Sequence, residues 1–420
     1  MEQMNNKRYE HVKYAVIACL TVVAFVITYK YMLNVANAEG INDLKEHMWH
    51  AEGITSATLF ESWLERPYLF WHLCVKASIL YLGIPAVEST AFICGLFVVA
   101  TSLISFWIVE RIVEYSSPDS RCGTGAAVVA SILTLVMPLY LSWDGLDQYI
   151  GPFSVNPIHN PTHMAVKPFG LLAFAYAVDL FLRYRGKKTM FVISTFGQKY
   201  LYIWFASALF MMAFTKPTFM YMLLPAGGLY VLAGIAYDCY KKSCNFPACK
   251  DFIVKLTLAS MPSIIYLLIE YAAFYMWGGT NEDASIAIYP LFYTWNLYSD
   301  NILKSIILAM AFPLWMVVSN IKYFMQSVEG KLALLSYTVG VLEFALFVET
   351  GDKLSHANFA WCMMSGMLLL WIVAAAKLVE LTYSATRGKS VAISVTFGWS
   401  LLMLHLFAGL YYINPYMYII

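Results

Sequence analysis

Apolar residues arrive in long runs separated by shorter polar stretches, over 14–33, 86–109, 125–143, 164–182, 200–214, 218–237, 253–276, 302–320, 332–348, 360–377 and 391–411. A helix rises about 1.5 Å per residue, so a run of about 20 residues crosses the hydrocarbon of a bilayer. The pattern predicts an all-α polytopic membrane protein with about eleven transmembrane helices. The first run follows Lys7, Arg8 and Lys13 and lacks a small-residue cleavage site, which makes it an anchor rather than a signal peptide. Residues 34–85 form the first long loop and carry apolar stretches of their own, including Trp63 and 67–73. They predict one or two helices lying in the interface, with Trp and Tyr at headgroup depth. No separate soluble domain is visible, so 1–420 is expected to be a single transmembrane domain.

Charge gives the runs an orientation. Nineteen of the 27 Lys and Arg residues fall in segments that are cytoplasmic if the N-terminus is. The other eight are Lys30, Lys45, Arg66, Lys76, Lys167, Lys216, Lys304 and Lys353. Short cytoplasmic loops concentrate positive residues, so the N-terminus is expected inside and the C-terminus outside, in a multi-pass protein of the cell membrane. Composition agrees with the class: 60% of residues are apolar, 13% are charged and the mean hydropathy is +0.63. A net charge of +1 argues against a nucleic-acid binder. The eight cysteines are scattered and imply no disulfide framework. Cys239, Cys244 and Cys249 recur every five residues in a basic loop, a spacing open to palmitoylation or metal and best read as plain loop cysteines.

Candidate chemistry gathers on the outer side. In a helix over 40–52, Asp43, Glu46, His47 and His50 fall at i, i+3, i+4 and i+7 and share one face. A carboxylate and two imidazoles there suit proton abstraction or a divalent metal held by Asp43, His47 and His50; the plain alternative is a solvated surface helix. His72, His159, His163 and His356 lie in or beside the outer loops as well. The second outer loop carries Trp143, Asp144 and Asp147 and runs to Asn160-Pro161, an N-cap followed by a first-turn proline. The helix that starts there turns free N–H groups outward, where a phosphate would bind, and His163 and Lys167 lie one turn apart on it. The plain reading is an ordinary helix start with Lys167 snorkelling to the headgroups. Lys216, in Thr215-Lys216-Pro217 between two short apolar runs, is predicted at an outer turn on the same side. The fourth outer loop holds Glu349, Lys353 and His356.

The acidic residue soon after the first span, the interfacial helix with its histidines, the Arg66-Pro67-Tyr68 segment, the Thr-Lys-Pro between short helices and the 349–359 segment before a late span together resemble the GT-C superfamily of membrane glycosyltransferases. The resemblance covers the topology of most of the chain. It implies a donor sugar carried on a polyprenyl phosphate or pyrophosphate, with the first-loop carboxylate, here Asp43, as catalytic base. The chain departs from the best-marked members in having no adjacent acidic pair in the first loop and no large soluble C-terminal domain, which leaves sugar and acceptor open.

Glycosyl transfer from a lipid phosphate needs a base for the acceptor hydroxyl and donors or positive charge for the departing phosphate. Asp43 with His47 or His50 can supply the first. Asn160, His163, Lys167, Lys216 and Lys353 can supply the second. Trp49, Asp144, Asp147, His159, Glu349 and His356 are candidates for holding sugar or acceptor. No Gly-rich phosphate loop marks a nucleotide-sugar site, so the expected partners are a lipid-linked sugar donor, a lipid- or polymer-linked glycan acceptor of the cell envelope, and membrane lipids. No cofactor is certain. The alternatives are a polysaccharide repeat-unit polymerase and a secondary transporter, for which Asp179, Glu270, Glu343 and His405 are the charged or titratable residues inside spans.

Overall fold

The structure is a computed structural model that describes residues 2–40, 42–66, 68–116, 122–140, 149, 151–156, 158–277, 285–384 and 388–417, with the side chains of 2–9, 352, 389 and 416 excepted. The helices in chain order are α1 (Glu2–Asn37), α2 (Asp43–Gly53), α3 (Leu59–Glu65), α4 (Phe70–Leu82), α5 (Ala86–Ser116), α6 (Cys122–Leu133), α7 (Pro161–Tyr184), α8 (Thr195–Lys199), α9 (Leu201–Thr215), α10 (Thr218–Tyr240) and α11 (Phe246–Tyr275). They continue with α12 (Tyr293–Asn296), α13 (Ile302–Ser319), α14 (Ile321–Gln326), α15 (Val328–Leu346), α16 (Ala360–Tyr383) and α17 (Lys389–Met417). Two short strands, β1 (Ile286–Ile288) and β2 (Phe347–Glu349), pair antiparallel with Ile286 opposite Glu349.

The fold is an all-α, multi-pass membrane architecture. Among the described residues, α1, α5, α7, α10, α11, α13, α16 and α17 are long and apolar enough to cross a membrane, eight helices against the eleven expected. Each of the other three expected spans is helical but falls short for its own reason. At about 1.5 Å per residue, the 15 residues of α9 reach only partway across. In α15, Glu329, Lys331 and Glu343 interrupt the apolar run. The expected span 125–143 stops as a helix at Leu133, and the chain goes on without helix over 136–140. Its backbone groups are taken up by neighbours: Met137 N donates to His405 O at 3.1 Å, His405 Nδ1 meets Met137 O at 2.7 Å, and Leu139 N donates to Leu308 O at 2.9 Å. Asn156 Nδ2 donates to Leu133 O and Val136 O. Broken helix is tolerated at membrane depth when protein groups satisfy it in this way.

The centre of the bundle is α16, buried along nearly its whole length. It packs on α15 through two glycines that face each other's backbones: a Cβ at Gly340 would come 2.7 Å from Cys362 O, and one at Gly366 would come 2.6 Å from Ser336 O. Small residues let membrane helices approach this closely. Around this pair, α1 packs on α5 and α7 on α9. The first loop folds as three helices, α2, α3 and α4, rather than one or two. The Trp63 indole of α3 donates to the Tyr266 hydroxyl of α11 at 3.3 Å, which ties this layer down onto the bundle.

Two of the intramembrane residues that suggested transport serve the fold instead. Asp179 accepts hydrogen bonds from the backbone N–H groups of Met190, Phe191 and Val192 at 2.6–3.1 Å. His405 holds the broken segment after α6 and lies edge-on to Trp371.

Candidate active site

Two helix starts meet at the site. At α2, Asn42 caps by accepting from Lys45 N at 3.0 Å, and Asp43 and Glu46 sit in the first turn, where the helix dipole favours negative charge. At α7, Asn160 Oδ1 accepts from His163 N at 2.9 Å and Pro161 follows at the first helical position. Asn160 is more than a cap. Its Nδ2 donates to Asp43 Oδ2 at 2.6 Å, and its Oδ1 accepts from Lys216 Nζ at 3.0 Å and from Thr162 Oγ1 at 3.0 Å.

Lys216 ends α9 at the Thr-Lys-Pro break, buried at 7% exposure. Its ammonium also donates to Thr162 Oγ1 at 3.2 Å and lies 4.4 Å from the ring centre of Trp361. Burial pulls its pKa down to about 8, with Asp43 opposing. Carboxylate, amide and ammonium thus form one hydrogen-bonded chain drawn from three distant parts of the sequence.

On the other side of Asp43, His47 Nε2 lies 3.5 Å from Asp43 Oδ1. The opposite ring nitrogen, Nδ1, meets His72 Nε2 at 2.8 Å and Arg66 Nη1 at 3.3 Å. A guanidinium only donates, so Nδ1 is the acceptor and the proton of neutral His47 sits on Nε2, facing the carboxylate. Burial, then the neighbouring His72 and Arg66, push His47 well below the ordinary histidine range and keep it neutral. His47 is therefore placed to orient Asp43 as a donor. Arg66 also reaches Glu46 at 3.7 Å.

The remaining expected residues scatter. His50 turns toward Glu65 at 3.7 Å and packs its ring on His72, two turns along α2 from Asp43. Consequently Asp43, His47 and His50 do not converge as a ligand set, and among the described residues no three His, Cys, Asp or Glu side chains do. Trp49 is on the exposed side of α2. His163 and His159 pack against Trp361, with ring centres 5.1 and 5.8 Å from it. Lys167 is buried and donates to Asn156 Oδ1 at 2.9 Å in a separate small cleft, so the loop before α7 supplies its acceptor. Glu349 accepts from the Tyr275 hydroxyl at 2.6 Å and from the Asn358 amide. Lys353 lies over the Phe274 ring, and His356 is exposed. Asp144 and Asp147 lie outside the described residues.

A cavity of about 750 Å³, including its mouth, opens beside this chain, with Lys216, Trp361, Tyr68, Glu270 and Glu349 in its wall. It continues into an apolar groove of about 1050 Å³ between α10 and α11, walled by Leu224, Ile264, Leu267 and Leu268. The two share Tyr221, Tyr271, Ile286 and Phe359. Sequence reasoning left His72, Arg66, Tyr68, Thr162 and Trp361 without roles at this site. The Arg66-Pro67-Tyr68 segment is the sequence signal for Arg66 and Tyr68, and His72, a lone histidine in an apolar helix, gives a weak one.

The fold is similar to that of the archaeal oligosaccharyltransferase AglB from Archaeoglobus fulgidus, solved in complex with an inhibitory peptide and a dolichol-phosphate, with a TM-score of 0.50 at 12% sequence identity. The superposition covers 96% of this chain and 56% of that one, so the chain spans a little over half the length of the structure it matches. That neighbour has a fold of the GT-C type. No family model matches the sequence, and no curated protein does.

Proposed function

We propose that this protein is a membrane glycosyltransferase that moves a sugar from a polyprenyl-phosphate-linked donor to a lipid- or polymer-linked glycan acceptor on the outer face of the membrane. The observation that carries the reading is the Asp43–Asn160–Lys216 chain, whose Lys216 lines a cavity that continues into an apolar groove. A prenyl chain suits the groove, and its phosphate reaches Lys216 and the start of α7, where an anion is favoured. The neighbouring structure's dolichol-phosphate is consistent with such a donor.

In the reaction, the acceptor oxygen attacks the anomeric carbon as the bond from that carbon to the phosphate oxygen breaks. The electron pair leaves with the polyprenyl phosphate, and Asp43 takes the hydroxyl proton. Lys216, still mainly cationic at neutral pH with its pKa near 8, balances the phosphate charge. His47 and Asn160 hold one oxygen of Asp43 each, which fixes the direction from which it receives the proton.

The reading is tested by reconstituting the protein and offering radiolabelled prenyl-phosphate sugars beside soluble nucleotide sugars. Transfer from the lipid donors alone is expected. Transfer from nucleotide sugars, or uptake of sugar into vesicles without transfer, would contradict it.

A further inference from the structure

Glu270 is an unusual residue for its surroundings. It belongs to α11, a helix whose membrane-crossing stretch is only 22% buried inside the protein, yet Glu270 itself is 5% exposed and faces inward. Its Oε2 has no hydrogen-bond partner among the described residues. A buried acid without a partner is costly to keep, and inside a membrane protein it is a candidate functional position.

The cavity supplies the context. Glu270 lines it together with Lys216 and the tyrosines Tyr68, Tyr221, Tyr271 and Tyr275. Glu349 and Asn358 stand in the same wall, so the cavity holds two carboxyl groups among its aromatic rings. The apolar groove that would take the prenyl chain is lined by Ile264, Leu267, Leu268 and Tyr271 of the same helix, without Glu270. Lys216 is the cation in this cavity wall, so the phosphate falls to Lys216. What remains for Glu270 is the polar part of the donor beyond its phosphate, the sugar. Aromatic walls with carboxyls between them match a sugar, which offers C–H faces for packing and hydroxyls for hydrogen bonds.

We infer that Glu270 reads a hydroxyl of the transferred sugar and sets the donor specificity of the site. The inference rests on the proposed transferase reading and adds to it the residue that recognises the sugar. In this role Glu270 accepts one sugar hydroxyl, and a donor lacking that hydroxyl leaves the carboxyl unpaired, which is how buried polar groups discriminate most sharply.

The test uses short-chain prenyl-phosphate glucose, mannose and galactose, and the mono-deoxy analogues of whichever the wild-type protein transfers best. Glu270→Gln, which keeps shape and hydrogen bonding, should stay close to wild type. Glu270→Met should lose about tenfold to a hundredfold in kcat/KM, mainly through KM, as for a sugar hydroxyl left without its buried hydrogen-bond partner. For one deoxy analogue, wild type and Glu270→Met should be equal, because the interaction is already gone. Unchanged KM in Glu270→Met, or the same fractional loss with every deoxy analogue, would overturn the assignment while the transferase reading stands. Absence of transfer by the wild-type protein from all three donors would sink the transferase reading and the inference with it.

Discussion

Every polar atom of the Asn160 amide is in use, with its N–H toward Asp43 and its oxygen toward Lys216, Thr162 and His163 N. This couples the protonation of Lys216 to the site, and its lowered pKa has two consequences of opposite sign. Donor binding that depends on the cation is full below about 8 and fades as pH rises through that value. The unfolded chain keeps the proton up to 10.5, so it binds more protons between about 8 and 10.5 and the ligand-free protein gains stability as pH rises there. Titrating donor affinity and unfolding temperature over this window should show the two moving oppositely. Lys216→Met should flatten both and weaken donor binding by about 1.5–3 kcal/mol. A Lys216→Met protein with wild-type affinity would reduce Lys216 to a structural residue. Asp43, Asn160 and Lys216 were legible in the sequence because their signals are local: an N-cap before a proline, a four-residue helical spacing, a lysine at a helix break. The His72–His47 pair was not, since 25 residues and the whole of α3 separate its members.

At the scale of elements, local patterns found the helices and tertiary partners decided where they break. Residues 125–143 continue as an apolar run, and the end of α6 at Leu133 goes with Pro138 and with the bonds that Asn156, His405 and Leu308 make to the chain over 133–139. The strands β1 and β2 have three residues each, too few for any periodicity to show, yet they place Glu349 at the cavity. The α15–α16 contact makes a prediction here. Gly366→Leu puts a side chain where the Ser336 backbone already lies, and overpacking of this kind costs about 1–3 kcal/mol or more. Thermal unfolding in detergent should drop for this variant and remain near wild type for Gly228→Leu, where the structure leaves open space. Equal unfolding temperatures for the two would show that the close approach does not hold the bundle.

For the whole molecule, the multi-pass architecture was the most legible property, because hydrocarbon thickness and apolar run length are the same quantity seen twice. The distribution of Lys and Arg, with nineteen of 27 in the segments expected inside, makes the orientation a prediction. A reporter active only outside the cytoplasm should work after Ile420 and fail after Lys188, and the reverse result would move Asp43 to the cytoplasmic face. The central claim is that Asp43 is the base of a glycosyl transfer, and the intact protein in proteoliposomes tests it most directly. Asp43→Asn preserves size and polarity, so donor binding should be nearly unchanged. Turnover with a prenyl-phosphate sugar should fall at least about a hundredfold, the lower end of what general base catalysis supplies. Near-normal turnover by Asp43→Asn would contradict the account.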